Sequence, residues 1–132
     1  ETGVLVYSPM HSGLLTGKVS RKWLDGLPDN DWRKHKKDHP VVSHLQSEEG
    51  MDAFLDFQNE LATISRENGR TVGQIAVAWS LRHCEVTSAI VGARRIGQIA
   101  ETVQAAEKEL TTEEDELISQ CLVTFEERMK RV

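Results

Sequence analysis

Two short stretches carry residue types that could hold an anion. Ser8-Pro9-Met10-His11-Ser12-Gly13-Leu14-Leu15-Thr16-Gly17-Lys18 is a loop punctuated by glycines and closed by a lysine. Flexible backbone N–H donors and one mobile cation suit a pyrophosphate. In Ile90-Val91-Gly92-Ala93-Arg94-Arg95, an apolar run ends on a glycine and two guanidinia follow. With no Cβ at Gly92 the main chain can approach a ligand closely, and a guanidinium can bond a phosphate bidentately. Taken singly, each residue has a plainer role. Gly13, Gly17 and Gly92 could be turn residues, Lys18 and Arg94 solvated loop cations, and Tyr7 a core aromatic at a strand end.

Other patterns do not lead to chemistry. Gly13 to Lys18 looks like a triphosphate-binding loop, but only three residues separate its glycines and Val19 replaces the required Ser or Thr. His35, His39 and His44 are loosely spaced like metal ligands, yet no carboxylate or cysteine set completes a tetrahedral site, and Pro40 breaks helical geometry. No metal is therefore expected. The run Arg33-Lys34-His35-Lys36-Lys37 is interrupted on either side by Asp31 and Asp38, a polar surface rather than a nucleic-acid stripe. The two cysteines, Cys84 and Cys121, fall on an apolar face or at a helix end and are expected as free, inert, buried thiols.

The chain's 132 residues, 39% of them apolar and 28% charged, have the composition of a folded domain. The net charge of −5 gives no general affinity for polyanions, so nucleic acid is disfavoured. No stretch approaches the ~20 apolar residues of a membrane helix. The beginning, Glu1 to Tyr7, has no basic region or cleavage signature of a secretory leader, and it enters a strand almost at once, so upstream sequence is expected to be missing. Cytoplasm is the expected location.

Val4-Leu5-Val6-Tyr7 and Val86 to Val91 are short, β-branched runs that predict buried strands of a parallel sheet. Between them, 19–47 is polar and without period, which predicts a loop or lid. Phe54, Phe57, Leu61 and Ile64 then keep the spacing of one helical face, and Asn68-Gly69 stops that helix. Thr71 and Gln74 have capping-box spacing before a helix running to about His83. A further helix is predicted from Arg95 or Ile96 to about Lys108. A last one is capped by Thr111 or Thr112 and carries Leu117, Ile118, Cys121, Leu122 and Phe125 on its buried stripe. Strands separated by helices predict an α/β fold, and two strands cannot alone make a parallel sheet covered on both faces.

Taken in order, these segments resemble the aldo-keto reductase family over nearly the whole chain. Tyr7 to Lys18 is similar to the stretch at the end of the family's seventh barrel strand. Ile90-Val91-Gly92-Ala93-Arg94 with Gln98 and Glu101 is similar to the segment after its eighth strand. Thr71 to Trp79 resembles the helix between them, and Asp31-Trp32-Arg33 the intervening loop. The resemblance implies the C-terminal part of a (β/α)8 barrel, incomplete as given, since such a barrel needs ~250 residues. The whole chain, 1–132, is then one partial domain, with strands one to six absent.

The resemblance also implies NADP(H) as cofactor and a small aldehyde or ketone as substrate. Arg94 would lie at the adenosine 2′-phosphate with Arg95 beside it, and Gln98 and Glu101 at the adenine; Thr102 stands where the family often has Asn. Gly13, Gly17 and Lys18 would face the pyrophosphate, near Gly92. Ser8, Pro9, Met10 and Ser12 would line the cofactor, Tyr7 would stack on the nicotinamide, and Arg33 would close over it. For this socket Gly92 and Lys18 must lie at the same end of the sheet. Carbonyl reduction needs an acid at the developing alkoxide, in this family a Tyr tuned by Lys, Asp and His. Tyr7 is the only tyrosine and does not match that position, so no catalytic residue is assigned and the chain alone is expected to be inactive. The parent is read as an NADPH-dependent oxidoreductase. The alternative is a non-catalytic nucleotide-sensing or subunit-interaction module, because some relatives act as regulatory subunits. The missing barrel half, or self-association through exposed strand edges, would complete the sheet.

Overall fold

The computed structural model describes residues 2–35, 39 and 41–131. Lys36, Lys37, Asp38 and Pro40, which figure in the sequence reading, lie outside them. Two strands, β1 (Val4–Tyr7) and β2 (Val86–Ile90), pair in parallel. Between them run α1 (Arg21–Asp25), α2 (Trp32–His35), α3 (Glu48–Glu67) and α4 (Val72–Ser80). After β2 come α5 (Gln98–Val103) and α6 (Thr112–Met129).

The long helices begin where local chemistry says they should. Ser47 caps α3, its Oγ accepting from the Gly50 N–H at 3.0 Å, with Glu48 and Glu49 at the positive end of the dipole. Beyond its end Gly69 takes a φ of 65°, which returns the Arg70 N–H to the Ser65 carbonyl at 2.8 Å. Complete capping boxes open α4 at Thr71 and α6 at Thr111. The core sits between α3 and α6. Phe57 and Phe125 stack with ring centroids 4.7 Å apart, and Phe54 meets Phe125 edge-on at 6.0 Å.

Several expectations need correction. The strands, predicted buried, are bare on one face: Leu5 is 63%, Tyr7 82% and Ile90 57% exposed, and alternation puts all three on the same side. A parallel sheet of this composition needs cover on both faces, and the described helices leave this one open. The segment 19–47 is not structureless. It carries α1, α2 and a 3-10 turn at His44–Gln46, and Val19, Leu24, Leu27, Val42 and Leu45 are buried in the core. Gln58 of α3 holds Val19 by both amide atoms, accepting at 3.0 Å and donating at 3.1 Å. These apolar residues have no helical period because tertiary contact, not a helix face, sets their spacing.

The helix predicted from residue 95 starts only at Gln98 and ends at Val103, followed by a 3-10 turn at Gln104–Ala106. Gly97, with φ 84°, is left-handed and cannot continue a right-handed helix backwards. Likewise α4 stops at Ser80 rather than His83, and β2 at Ile90. Cys121 is buried as expected, but Cys84 is exposed in the turn before β2.

Candidate functional site

Tyr7 and Ile90 are paired in register at the ends of β1 and β2, so the segments that follow leave the sheet side by side. The first is strained. Ser8, His11 and Ser12 have φ of 54°, 46° and 55°, and Gly13 has 92°. Left-handed geometry costs a non-glycine residue about 1 kcal/mol, so the surroundings must impose it. Leu14, wholly buried, anchors the loop. Gly13 N–H donates to the Met10 carbonyl at 3.0 Å and Thr16 Oγ1 to the Gly13 carbonyl at 2.8 Å. Gly17, at φ 73°, lies so near α4 that an added Cβ would meet Val72 at 3.1 Å.

The second wall is the run from Val91 to α5. A Cβ at Gly92 would meet nothing within 4 Å, so the fold itself does not demand glycine there. The Arg94 N–H donates to Gln98 Oε1 at 3.0 Å, which ties the loop to the start of α5. Thr102 turns its hydroxyl inward to the Gln98 carbonyl at 2.9 Å. Among the described residues, Lys18, Arg94 and Arg95 form no salt bridge.

Arg33 bolts the segment before α2 onto the first loop. It donates from Nε and Nη2 to Asp31, at 2.9 and 2.6 Å, and from Nη1 to the Ser12 carbonyl at 3.1 Å, lying 5.1 Å above the Trp23 ring. Those bonds from Arg33 hold the Asp31 carboxyl down at about 2, with a further downward pull from the charge of Arg94. Two of the histidines spaced like metal ligands have other neighbours. His35 contacts the Asp29 carbonyl at 2.6 Å, while the His39 ring lies 5.1 Å from His11 and 5.4 Å from Trp32. Burial is the main reason His11 is harder to protonate than usual, and the charge of His39 adds to it.

Two adjoining clefts open at this end of the sheet, of about 850 and 410 Å3. Tyr7, Ser8, Pro9, Ser12 and Gly92 line the larger. Lys18, Arg95 and Glu101 line the smaller. Met10, Gly13, Arg33, Arg94 and Gln98 line both. Of the positions singled out for a cofactor, all but Gly17 border these two adjoining clefts, and Gly92 and Lys18 share an end of the sheet.

The aldo/keto reductase family matches residues 1–123. This chain belongs to the aldo-keto reductase family. Among its relatives, it is 36% identical over 105 residues to a putative voltage-gated potassium channel subunit beta of Schizosaccharomyces pombe, covering 80% of this chain and 29% of that protein. To the L-glyceraldehyde 3-phosphate reductase of Escherichia coli K12 it is 34% identical over 103 residues, covering 78% of this chain and 28% of the other. The glycerol dehydrogenase of Gluconobacter oxydans superposes with a TM-score of 0.74 at 28% identity, over 91% of this chain and 34% of that structure. The chain thus spans about a third of the length of the proteins it matches.

Within this aldo-keto reductase chain the sequence reading overlooked several cleft residues. Asn30 borders the larger space, and Trp23 and Gln74 border the smaller. Trp23 and Asn30 carried no local signal, since tertiary packing alone brings them to the cleft. Gln74 was visible only as a helix cap.

Proposed function

We propose that this chain is the dinucleotide-holding C-terminal portion of an NADP(H)-dependent aldo-keto reductase, with barrel strands seven and eight as β1 and β2. The parent protein would interconvert aldehydes or ketones with alcohols, in the cytoplasm. The observation that carries this reading is the convergence of the candidate residues on two connected clefts beyond the strand ends.

The donor set fits such a cofactor. Arg94, free of a carboxylate partner among the described residues, suits a bidentate grip on a 2′-phosphate, with Arg95 adjacent. Lys18 and the N–H groups of the glycine loop suit the pyrophosphate. Tyr7, 82% exposed, offers a flat apolar face for a nicotinamide. Gln98 has one amide oxygen engaged by Arg94 and keeps its NH2 for an adenine, beside the exposed Glu101. Arg33 holds the Asp31 segment over Ser12, the roof of the larger cleft. Bound NADPH would supply the hydride. This chain holds and orients it and contributes no acid to the alkoxide, because its single tyrosine belongs to the stacking position. Alone it is inactive.

The test is a titration of NADPH and NADH into the protein and its Arg94→Ala variant. A charge-assisted contact contributes about 1.5–3 kcal/mol, so NADPH should bind roughly 10- to 100-fold more weakly to the variant, with NADH little changed. Equal NADPH affinity in both proteins overturns the role of Arg94. The likeness to a potassium channel subunit beta favours a second reading, a nucleotide-sensing or subunit-interaction module without turnover. An assay of the parent protein with NADPH and small aldehydes separates the two readings. Cofactor oxidation selects the enzyme, and tight binding without oxidation selects the sensor.

A further inference from the structure

Two capping boxes stand among the described residues, and they differ in one atom that matters. In α6, Glu114 Oε2 accepts from the Thr111 N–H at 2.7 Å, while its other oxygen, Oε1, is buried with no hydrogen-bond partner. In α4, Gln74 Oε1 accepts from the Thr71 N–H at 2.8 Å, and the Gln74 N–H donates to Thr71 Oγ1 at 3.2 Å. For capping alone a carboxylate serves as well as an amide, as α6 demonstrates. The amide of Gln74 has a second use. With its oxygen fixed by Thr71, its NH2 points away, and it donates to the Glu101 carbonyl at 2.8 Å and to Gln104 Oε1 at 3.1 Å.

The helix it reaches needs holding. α5 has six residues and no side-chain cap, and Ile96, Ile99 and Val103 are exposed around it. A helix this short has no stability of its own. The first turn of α4 also touches the opposite wall, since a Cβ at Gly73 would meet Met10 Sδ at 3.3 Å. That single turn therefore abuts the glycine loop on one side and is bonded to α5 on the other.

We infer that Gln74 is a positioning residue that sets the width of the smaller cleft. Its amide suspends α5 from the head of α4, and so places Gln98 and Glu101 opposite Lys18. What fills the cleft rests on the dinucleotide reading; the suspension of α5 does not.

Gln74→Glu is the decisive variant, because it keeps the oxygen that caps α4 and removes the donor that holds α5. Backbone amide protection of residues 98–103, followed by hydrogen–deuterium exchange, should fall at least roughly 10-fold while the protection of α3 and α6 is unchanged. Affinity for NADPH, and for adenosine 2′,5′-bisphosphate as its adenine-side fragment, should fall about 10-fold together. Protonating the new carboxyl at lower pH restores a donor and should restore part of the α5 protection. Thr111→Ala serves as the control, destabilising the protein at a cap remote from the clefts with α5 protection and affinity kept. If Gln74→Glu does not fold, Gln74→Met, uncharged and of similar size, gives the same exchange test. Unchanged protection of α5 overturns the inference, and so does unchanged affinity in a protein whose wild type binds NADPH. A wild type that binds neither ligand refutes the dinucleotide reading instead, and leaves the exchange result to decide the role of Gln74.

Discussion

Single groups in this chain owe their ionisation to identifiable neighbours, and two of them give tests. Asp31 is acidified from the ordinary 3.8 to about 2, first by the Arg33 side-chain bonds. Because the folded value lies below the ordinary one, the contact stabilises fully above pH 4 and is lost as pH falls from about 4 to 2. Denaturant midpoints should therefore drop more steeply over that range in the wild type than in Asp31→Asn. Parallel acid limbs would show that the pair contributes nothing. Cys121 moves the other way. Burial, and then the Glu60 carboxylate 2.6 Å away, push its thiol up to about 12, so it stays protonated and covered. A disulfide reagent at pH 8 should label about one thiol rapidly, the exposed Cys84, and reach the second only on unfolding. Two fast equivalents would contradict this. The burial of Cys121 was legible in its helical stripe, whereas the exposure of Cys84 was not, since it depends on what packs over the turn.

At the scale of elements, α3 and α6 hold the molecule together through three phenylalanines. Phe125, 7% exposed, stacks on Phe57 and meets Phe54 edge-on, so Phe125→Ala should cost about 3–5 kcal/mol, read as a large fall in the chemical-denaturation midpoint. A loss under 1 kcal/mol would mean that the two helices are not the core. Gly50 gives a sharper geometric test. A Cβ there would run into the His44 carbonyl of the preceding turn, so even Gly50→Ala should destabilise by about 1–3 kcal/mol despite its better helix propensity. These elements were legible where the signal is local. The period of Phe54, Phe57, Leu61 and Ile64 and the spacing of Thr71 to Gln74 each specify geometry within a few residues, whereas the cap of α6, open between Thr111 and Thr112 in the sequence, falls on Thr111. The start of α5 was not legible, because nothing in the letters around Gly97 says that its φ is positive. Nor was the anchoring of Val42 and Leu45, which depends on α3 lying beneath them. Much of the lining of the clefts was legible through its motifs, whereas the bridge from Gln74 to Glu101 spans 27 residues and has no sequence signature.

At the scale of the whole molecule, the described sheet is the part that the chain does not finish. Both strands have a free outer edge among the described residues, and Leu5, Tyr7 and Ile90 stand bare on one face. Edge strands with apolar neighbours recruit other strands, and an aldo-keto reductase chain covering about a third of its relatives' length has the corresponding surface to satisfy. On the proposed reading, the rest of a parent barrel or further copies of the chain would do so, and the isolated chain has only the second. The isolated 14.9 kDa chain should therefore associate in a concentration-dependent way in sedimentation velocity. Leu5→Lys combined with Ile90→Lys, which puts two like charges on the bare face without touching the α3–α6 core, should shift the species to monomer with the helical content kept. Addition of the complementary barrel half should compete with self-association for the same edges. A single monomeric species at every concentration, with the two lysines making no difference, would show that the exposed face is tolerated in water and that the sheet needs no partner.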